Sequence, residues 1–152
     1  MVSPNHEPRE GRPSRMKTVD DCRLMRLPAH PEPRGDLVAI EGGRDVPFEI
    51  RRVYTLTAVP ADARRGGHGH RALEQVFVVL AGGLDVTVSD GERSKTWRLC
   101  RADEGLFIPK GLWRELTNFA PGTACMVLAS LPYDEADYER SWEGFLRSRR
   151  HA

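Results

Sequence analysis

Cysteine is scarce in this chain, neither sign of charge is in excess, and no long apolar run is present. The three cysteines, Cys22, Cys100 and Cys125, are an odd set with no CxxC spacing. They argue against a disulfide framework and a zinc knuckle, and make a reducing cytoplasm the simpler expectation. Lysine and arginine number 23 against 22 aspartates and glutamates, a net charge of +1. So small an imbalance gives no global field for steering toward nucleic acid or anionic lipid, so any anion must be recognised locally. No run approaches the roughly eighteen apolar residues of a membrane span. The opening "MVSPNHEPREGRPSR" has arginines like a transit peptide, but it contains acids and prolines and lacks an apolar core. It reads as a loose arm, and the sequence predicts a flexible segment over residues 1–33 followed by a single domain over 34–152.

What is present, from Leu37 onward, is a series of short apolar or alternating runs broken by Gly, Pro and Asp, the pattern of a many-stranded antiparallel domain. In "EIRRVYTL", Ile50, Arg52, Tyr54 and Leu56 share one face by period-two alternation. "QVFVVLAGG" is continuously apolar from Val76 to Leu80 and suits a strand covered on both sides. "LDVTVSDGE" alternates and then turns at Asp90-Gly91, so "KTWRL" is predicted to return beside it. "EGLFIP", "WRELTNF" and "TACMVLAS" supply further strands. Asp134 is predicted to cap a terminal helix with Tyr138, Trp142, Phe145 and Leu146 on one apolar stripe. About eight strands with one helix is the coarse reading, and closing them into a barrel or jelly roll removes exposed edges. Small barrels of this kind often hold one ligand at the mouth.

The stretch "RGGHGHRALEQ" carries the chemistry. Residues two apart on a strand point the same way, so His68, His70 and, if the strand runs straight, Glu74 share a face. This is the H-x-H-x-x-x-E spacing of metal-binding cupins, whose further histidine comes from a later P-x-G-x-x-H-x-x-x-N segment. Here that segment reads "PKGLWRELTN", and Arg114 stands where the histidine would be. A guanidinium offers no lone pair and repels a divalent ion. The resemblance therefore implies the cupin fold while subtracting the metal, although a three-ligand site stays open as an alternative.

A more specific resemblance runs from about residue 34 to 146. "RGDLVAIEGGRDVPFEIRRVYTL", "RGGHGHRALEQV", "SDGERSKTWRL", "GLFIPKGLWRELTNF" and "MVLASLPYDEADYERSWEGF" resemble, in order, the blocks of the cupin sugar 3,4-ketoisomerases, the dTDP-4-keto-6-deoxyglucose 3,4-ketoisomerase family. The resemblance implies an all-β cupin-type double-stranded β-helix, or jelly-roll barrel, with a short C-terminal helix. It implies an isomerase that moves the ketone of a dTDP-linked 4-keto-6-deoxy sugar from C4 to C3 in deoxyamino-sugar biosynthesis. No cofactor and no metal, a homodimer, a cytoplasmic location and no nucleic-acid or membrane partner go with it. By position in the motifs, His68 is the base and Tyr54 the proton relay between the sugar oxygens.

The residues support those roles on chemical grounds. A neutral imidazole suits removal of the C3 proton, a phenol both donates and accepts, and Arg52 on the face of Tyr54 is placed to stabilise an enediolate. His70 orients substrate or tunes His68, and Glu74 is expected to accept its ring N–H and fix the tautomer. Arg65 and Arg114 are expected at the diphosphate, where a planar fork of donors matches phosphate oxygens. Trp97 and Trp142 read as packing, and Trp113 as packing or interface. Three other readings stay in play: a nucleotide-sugar epimerase, a metal-dependent cupin enzyme and a non-catalytic nucleotide-sugar binding cupin.

Overall fold

The computed structural model describes residues 14–152. Its strands are β1 (Arg23–Arg26), β2 (Ala29–His30), β3 (Leu37–Val38), β4 (Arg52–Thr57), β5 (Arg65–His70) and β6 (Gln75–Ala81). They continue as β7 (Leu84–Ser89), β8 (Ser94–Leu99), β9 (Glu104–Ile108), β10 (Trp113–Thr117), β11 (Ala124–Ala129) and β12 (Tyr138–Glu139), before one helix, α1 (Trp142–Arg150). Two five-stranded sheets, ordered β1-β9-β6-β11-β4 and β12-β5-β10-β7-β8, make the body of the molecule, with β2 and β3 as a small separate pair. Pairing between strands is antiparallel. This is the expected all-β jelly roll with a short C-terminal helix. No helix among the described residues is long and apolar enough to cross a membrane.

Period-two alternation explains how the sheets close on each other. Phe77 and Val79 of β6 join Val86 and Val88 of β7, Leu106 and Ile108 of β9 and Val127 of β11 in one buried cluster. The opposite row of β6, Val76 and Val78, packs with Leu27, Phe107 and Leu128 under Val38, Ile40, Val46, Phe48 and Ile50. Both rows of β6 are therefore covered, which is why its sequence is apolar without alternation. The Asp90-Gly91 turn joins β7 to β8 as expected, in the register Ser89 to Ser94.

Two sequence expectations need correction. The first concerns the arm: residues 1–13 lie outside the described residues, but within 14–33 the chain is built into the body. Val19, Cys22 and Leu27 are buried, and β1 pairs with β9. The Val19 N–H donates to the Asp90 carboxylate at 3.1 Å, and Arg149 of α1 donates to the Lys17 carbonyl at 2.8 Å. A four-residue edge strand with mostly exposed side chains carries too little alternation to be read from sequence.

The second concerns the helix, which starts later than expected. Asp134 accepts the Ala136 N–H and caps only a 3-10 turn, Glu135–Asp137. Ser141 caps α1 by accepting from the Gly144 N–H. Between them Tyr138 pairs with His70 in a ladder, a tertiary contact that overrides the helical spacing of its side chain. Phe145 lies over Gly69, where a Cβ would stand 3.4 Å from its ring. Trp142 and Phe145 both pack on Trp113, with ring centroids 5.3 and 5.7 Å away.

Candidate active site

A cavity of about 550 Å³ opens between the two sheets. From the first sheet, β4 contributes Arg52, Tyr54 and Leu56, the alternate positions expected of that strand, and β6 contributes Phe77. From the facing sheet come Arg65 and His68 of β5 with Arg114 and Leu116 of β10. The segment around β12 closes one side with Tyr133, Tyr138 and Arg140.

Arg65 and His68 are three apart, so an unbroken strand would turn them to opposite faces. A bulge reconciles them. Arg114 pairs with His68 and Glu115 with Gly66, leaving Gly67 as the extra residue. Gly66 and Gly67 have φ of +78° and +69°, and a Cβ on Gly66 would stand 3.0 Å from the Arg114 carbonyl oxygen. Glycine meets both demands at low cost.

Arg114 is 1% exposed and lies at the base of the cavity. Its Nη2 donates to the Leu112 carbonyl at 2.8 Å and its Nη1 to Gln75 Oε1. With the amide oxygen committed to the guanidinium, Gln75 must present its NH2 to Tyr54, where Nε2 lies 3.1 Å from the phenol oxygen. The phenol accepts that bond and keeps its own proton free for the cavity. Burial raises the Tyr54 pKa, against the lowering pull of the Arg114 cation, so the group is a protonated phenol at neutral pH. Burial lowers the pKa of Arg114 itself to about 10, which leaves it a cation.

His68 is neutral. Burial lowers its pKa to about 4, with Arg114 adding to the effect, and both ring nitrogens are buried without a hydrogen-bond partner. His70 shares the face of His68 but does not line the cavity, because Tyr138 and Asp137 cover it. Burial, then the Arg114 cation, lowers its pKa to about 2. Its Nδ1 lies 3.0 Å from Asp137 Oδ2, so Asp137 and not Glu74 holds the ring. The chain bends over residues 71–74 after β5, which breaks the parity on which that expectation for Glu74 rested. Glu74 instead lines a separate cleft beside Lys17 and Arg23, and its N–H donates to Ser130.

Arg52 sits 5.3 Å from the centroid of the Tyr54 ring, and its Nη2 donates to the Tyr138 hydroxyl at 3.4 Å. Exposed Arg64, Arg65 and Arg140 also border the cavity, Arg64 beside Glu115 and Arg140 paired with Glu135. No group of three or more His, Cys, Asp or Glu side chains among the described residues is placed to hold a metal ion. The position of the further cupin histidine holds the Arg114 guanidinium, so the donor set does not fit a divalent cation.

This geometry has close relatives. A TDP-4-oxo-6-deoxy-alpha-D-glucose-3,4-oxoisomerase of Aneurinibacillus thermoaerophilus is 40% identical over 112 residues, 74% of this chain and 81% of that one. Residues 20–150 match the family model described as FdtA: WxcM-like, C-terminal. The chain belongs to this sugar 3,4-ketoisomerase family.

Two solved ketoisomerases share its fold. A variant of QdtA, the 3,4-ketoisomerase of Thermoanaerobacterium thermosaccharolyticum, was solved with TDP-4-keto-6-deoxyglucose and superposes with a TM-score of 0.85 at 33% identity, covering 88% of this chain and 96% of that one. The WlaRB TDP-quinovose 3,4-ketoisomerase of Campylobacter jejuni gives 0.81 at 41% identity, covering 85% and 99%. The residues that sequence reasoning missed are Arg64, Tyr133, Tyr138 and Arg140, which border the cavity, and Gln75 and Asp137, which hold Tyr54 and His70. Only Gln75 left a signal, as a polar residue opening an otherwise apolar run. Asp137 and Tyr138 were hidden inside the expected helix.

Proposed function

We propose that this cavity takes a TDP-linked 4-keto-6-deoxyhexose and moves its ketone from C4 to C3, with His68 as base and Tyr54 as relay. The observation that carries the reading is that His68 and Tyr54, from facing sheets, line one cavity above the buried Arg114 cation.

Neutral His68 removes the proton on C3, and the electron pair forms an enediolate between C3 and C4. Positive charge from Arg114 and Arg52 stabilises the oxygen on which negative charge gathers. Tyr54 gives its proton to the C4 oxygen and takes the one on the C3 oxygen, its own oxygen held by Gln75. His68, after its proton has exchanged with solvent, then delivers a proton to C4. One carbon is oxidised and its neighbour reduced, so the step balances within the sugar. A positioned base of this kind contributes roughly a hundred- to ten-thousandfold.

At the cavity mouth, Arg65 with Arg64 and Arg140 meets the diphosphate. A homodimer and a cytoplasmic location belong to the same proposal, and the three free thiols suit a reducing compartment. Light scattering after size exclusion reads the first.

The experiment is incubation of the protein with TDP-4-keto-6-deoxyglucose in deuterated water. Migration of the carbonyl to C3 with deuterium entering the ring at C4 supports the reading. Exchange with inversion and no migration points to an epimerase, nucleotide binding with no exchange to a non-catalytic binder, and turnover lost on chelation to a metal enzyme.

A further inference from the structure

We propose that Asp137 and His70 are a positioning pair for His68, placing a fixed, uncharged nitrogen acceptor and one negative charge behind the base as it takes a proton. The proposal rests on His68 being that base.

The His70 side chain has no solvent exposure, and Asp137 Oδ2 lies 3.0 Å from its Nδ1. The carboxylate is itself fixed, accepting from the Ala72 N–H at 2.6 Å and the Leu73 N–H at 3.3 Å. An ionised carboxylate only accepts, so the hydrogen must sit on His70 Nδ1, and Nε2 is left as a bare lone pair. That nitrogen is buried and has no partner, an arrangement folded proteins rarely keep. The rings around it are His68, with centroids 4.8 Å apart and planes at 87°, and Tyr138 at 4.3 Å.

Charge makes this neighbourhood one-sided. The groups facing the two imidazoles are the guanidiniums of Arg114 from β10, Arg52 from β4 and Arg140 beyond β12, with the phenols of Tyr54 and Tyr138. Glu135 also acts on His68, favouring its charged form, but it is bound by Arg140 through two bonds, at 2.6 and 3.0 Å. An imidazolium forming at His68 thus meets the Arg114 and Arg52 cations, the Arg140–Glu135 ion pair and, among the described residues, one carboxylate in contact with the histidine pair, Asp137. Through the neutral His70 ring that carboxylate favours the proton on His68 without touching substrate, which makes Asp137 a positioning residue.

The test is Asp137→Asn, which keeps an oxygen for the Ala72 N–H but removes the charge and frees the tautomer. We expect kcat to fall about ten- to a hundredfold, KM to stay within about twofold, and C3 exchange to slow in step with kcat. The acid limb of kcat moves to lower pH, because a cation at His68 has lost its countercharge. Partial unfolding would scale kcat without moving that limb. A second pair covers failure of Asp137→Asn to fold: His70→Gln keeps an uncharged acceptor near Nε2 and His70→Leu does not, so the Gln variant should be at least about tenfold more active. Unchanged kcat and acid limb in Asp137→Asn, or equal activity of the two His70 variants, overturns the proposal. Full exchange in His68→Asn overturns the reading of the base instead.

Discussion

The two ends of the space between the sheets follow one rule and do different work. Toward one end the inward positions are Val86, Val88, Leu99, Leu106 and Val127, a buried apolar cluster. Toward the other they are Arg52, Tyr54, His68 and Arg114 around a cavity. Single strands serve both: Leu116 beside Arg114 on β10, and Phe77 between Gln75 and Val79 on β6, border the cavity and also pack in the apolar cluster. Alternation decides which side chains point inward, and the residue type at each inward position decides whether that end is core or site. The apolar end holds the sheets in register. The polar end uses that rigidity to keep unpaired nitrogens and a buried cation where they would otherwise be too costly.

Substitutions that act on one end only are the sharpest test of this division. The largest effect is expected from His68→Asn, with kcat falling roughly a hundred- to ten-thousandfold and the melting temperature level or raised, since an unsatisfied buried ring is removed. Steady-state kinetics beside a thermal melt checks both. Next, Leu106→Ala at the apolar end should cost about 2–5 kcal/mol in urea unfolding while leaving kcat and KM per folded molecule unchanged. Loss of catalysis with retained stability would deny the separation.

Gln75→Leu sits on the boundary. It leaves Arg114 with only the Leu112 carbonyl and Tyr54 without its donor, so about 1–3 kcal/mol of stability and about tenfold in kcat should be lost together. The smallest effect is on acid stability. His68 has its folded pKa lowered from 6.5 to about 4, so the unfolded chain binds more protons between those values. Stability therefore falls as the pH drops below about 6.5, the ordinary imidazole value, toward about 4, and the fall should be shallower in His68→Asn. Urea midpoints across that window, compared between the two proteins, read the difference.

Sequence reasoning reached the β-rich core and part of the cup for the same reason. The alternation of "RRVYTL" places Arg52, Tyr54 and Leu56 on one face because it acts within a single strand. It failed wherever a second element decided the outcome. Glu74 looked like the partner of His70 because spacing was carried across a bend in the chain, whereas Asp137 arrives from 67 residues away in sequence. Tyr138 fitted a helical stripe until its pairing with His70 made it a strand residue and part of the wall.

By itself the sequence determined which residues alternate, hence a many-stranded antiparallel domain with Arg52 and Tyr54 on one face and His68 and His70 on another, and its family resemblance implied the jelly roll. It also determined that arginine occupies the position of a further cupin ligand. The tertiary structure alone decided how deep each group lies and what it touches. It sank Arg114 beneath the cavity, put Gln75 between Arg114 and Tyr54, turned Arg65 inward through the bulge at Gly67, and set Asp137 against His70. Strand parity is fixed by the geometry of neighbouring residues in one segment, whereas burial and charge pairing are sums over residues that the chain brings together from far apart.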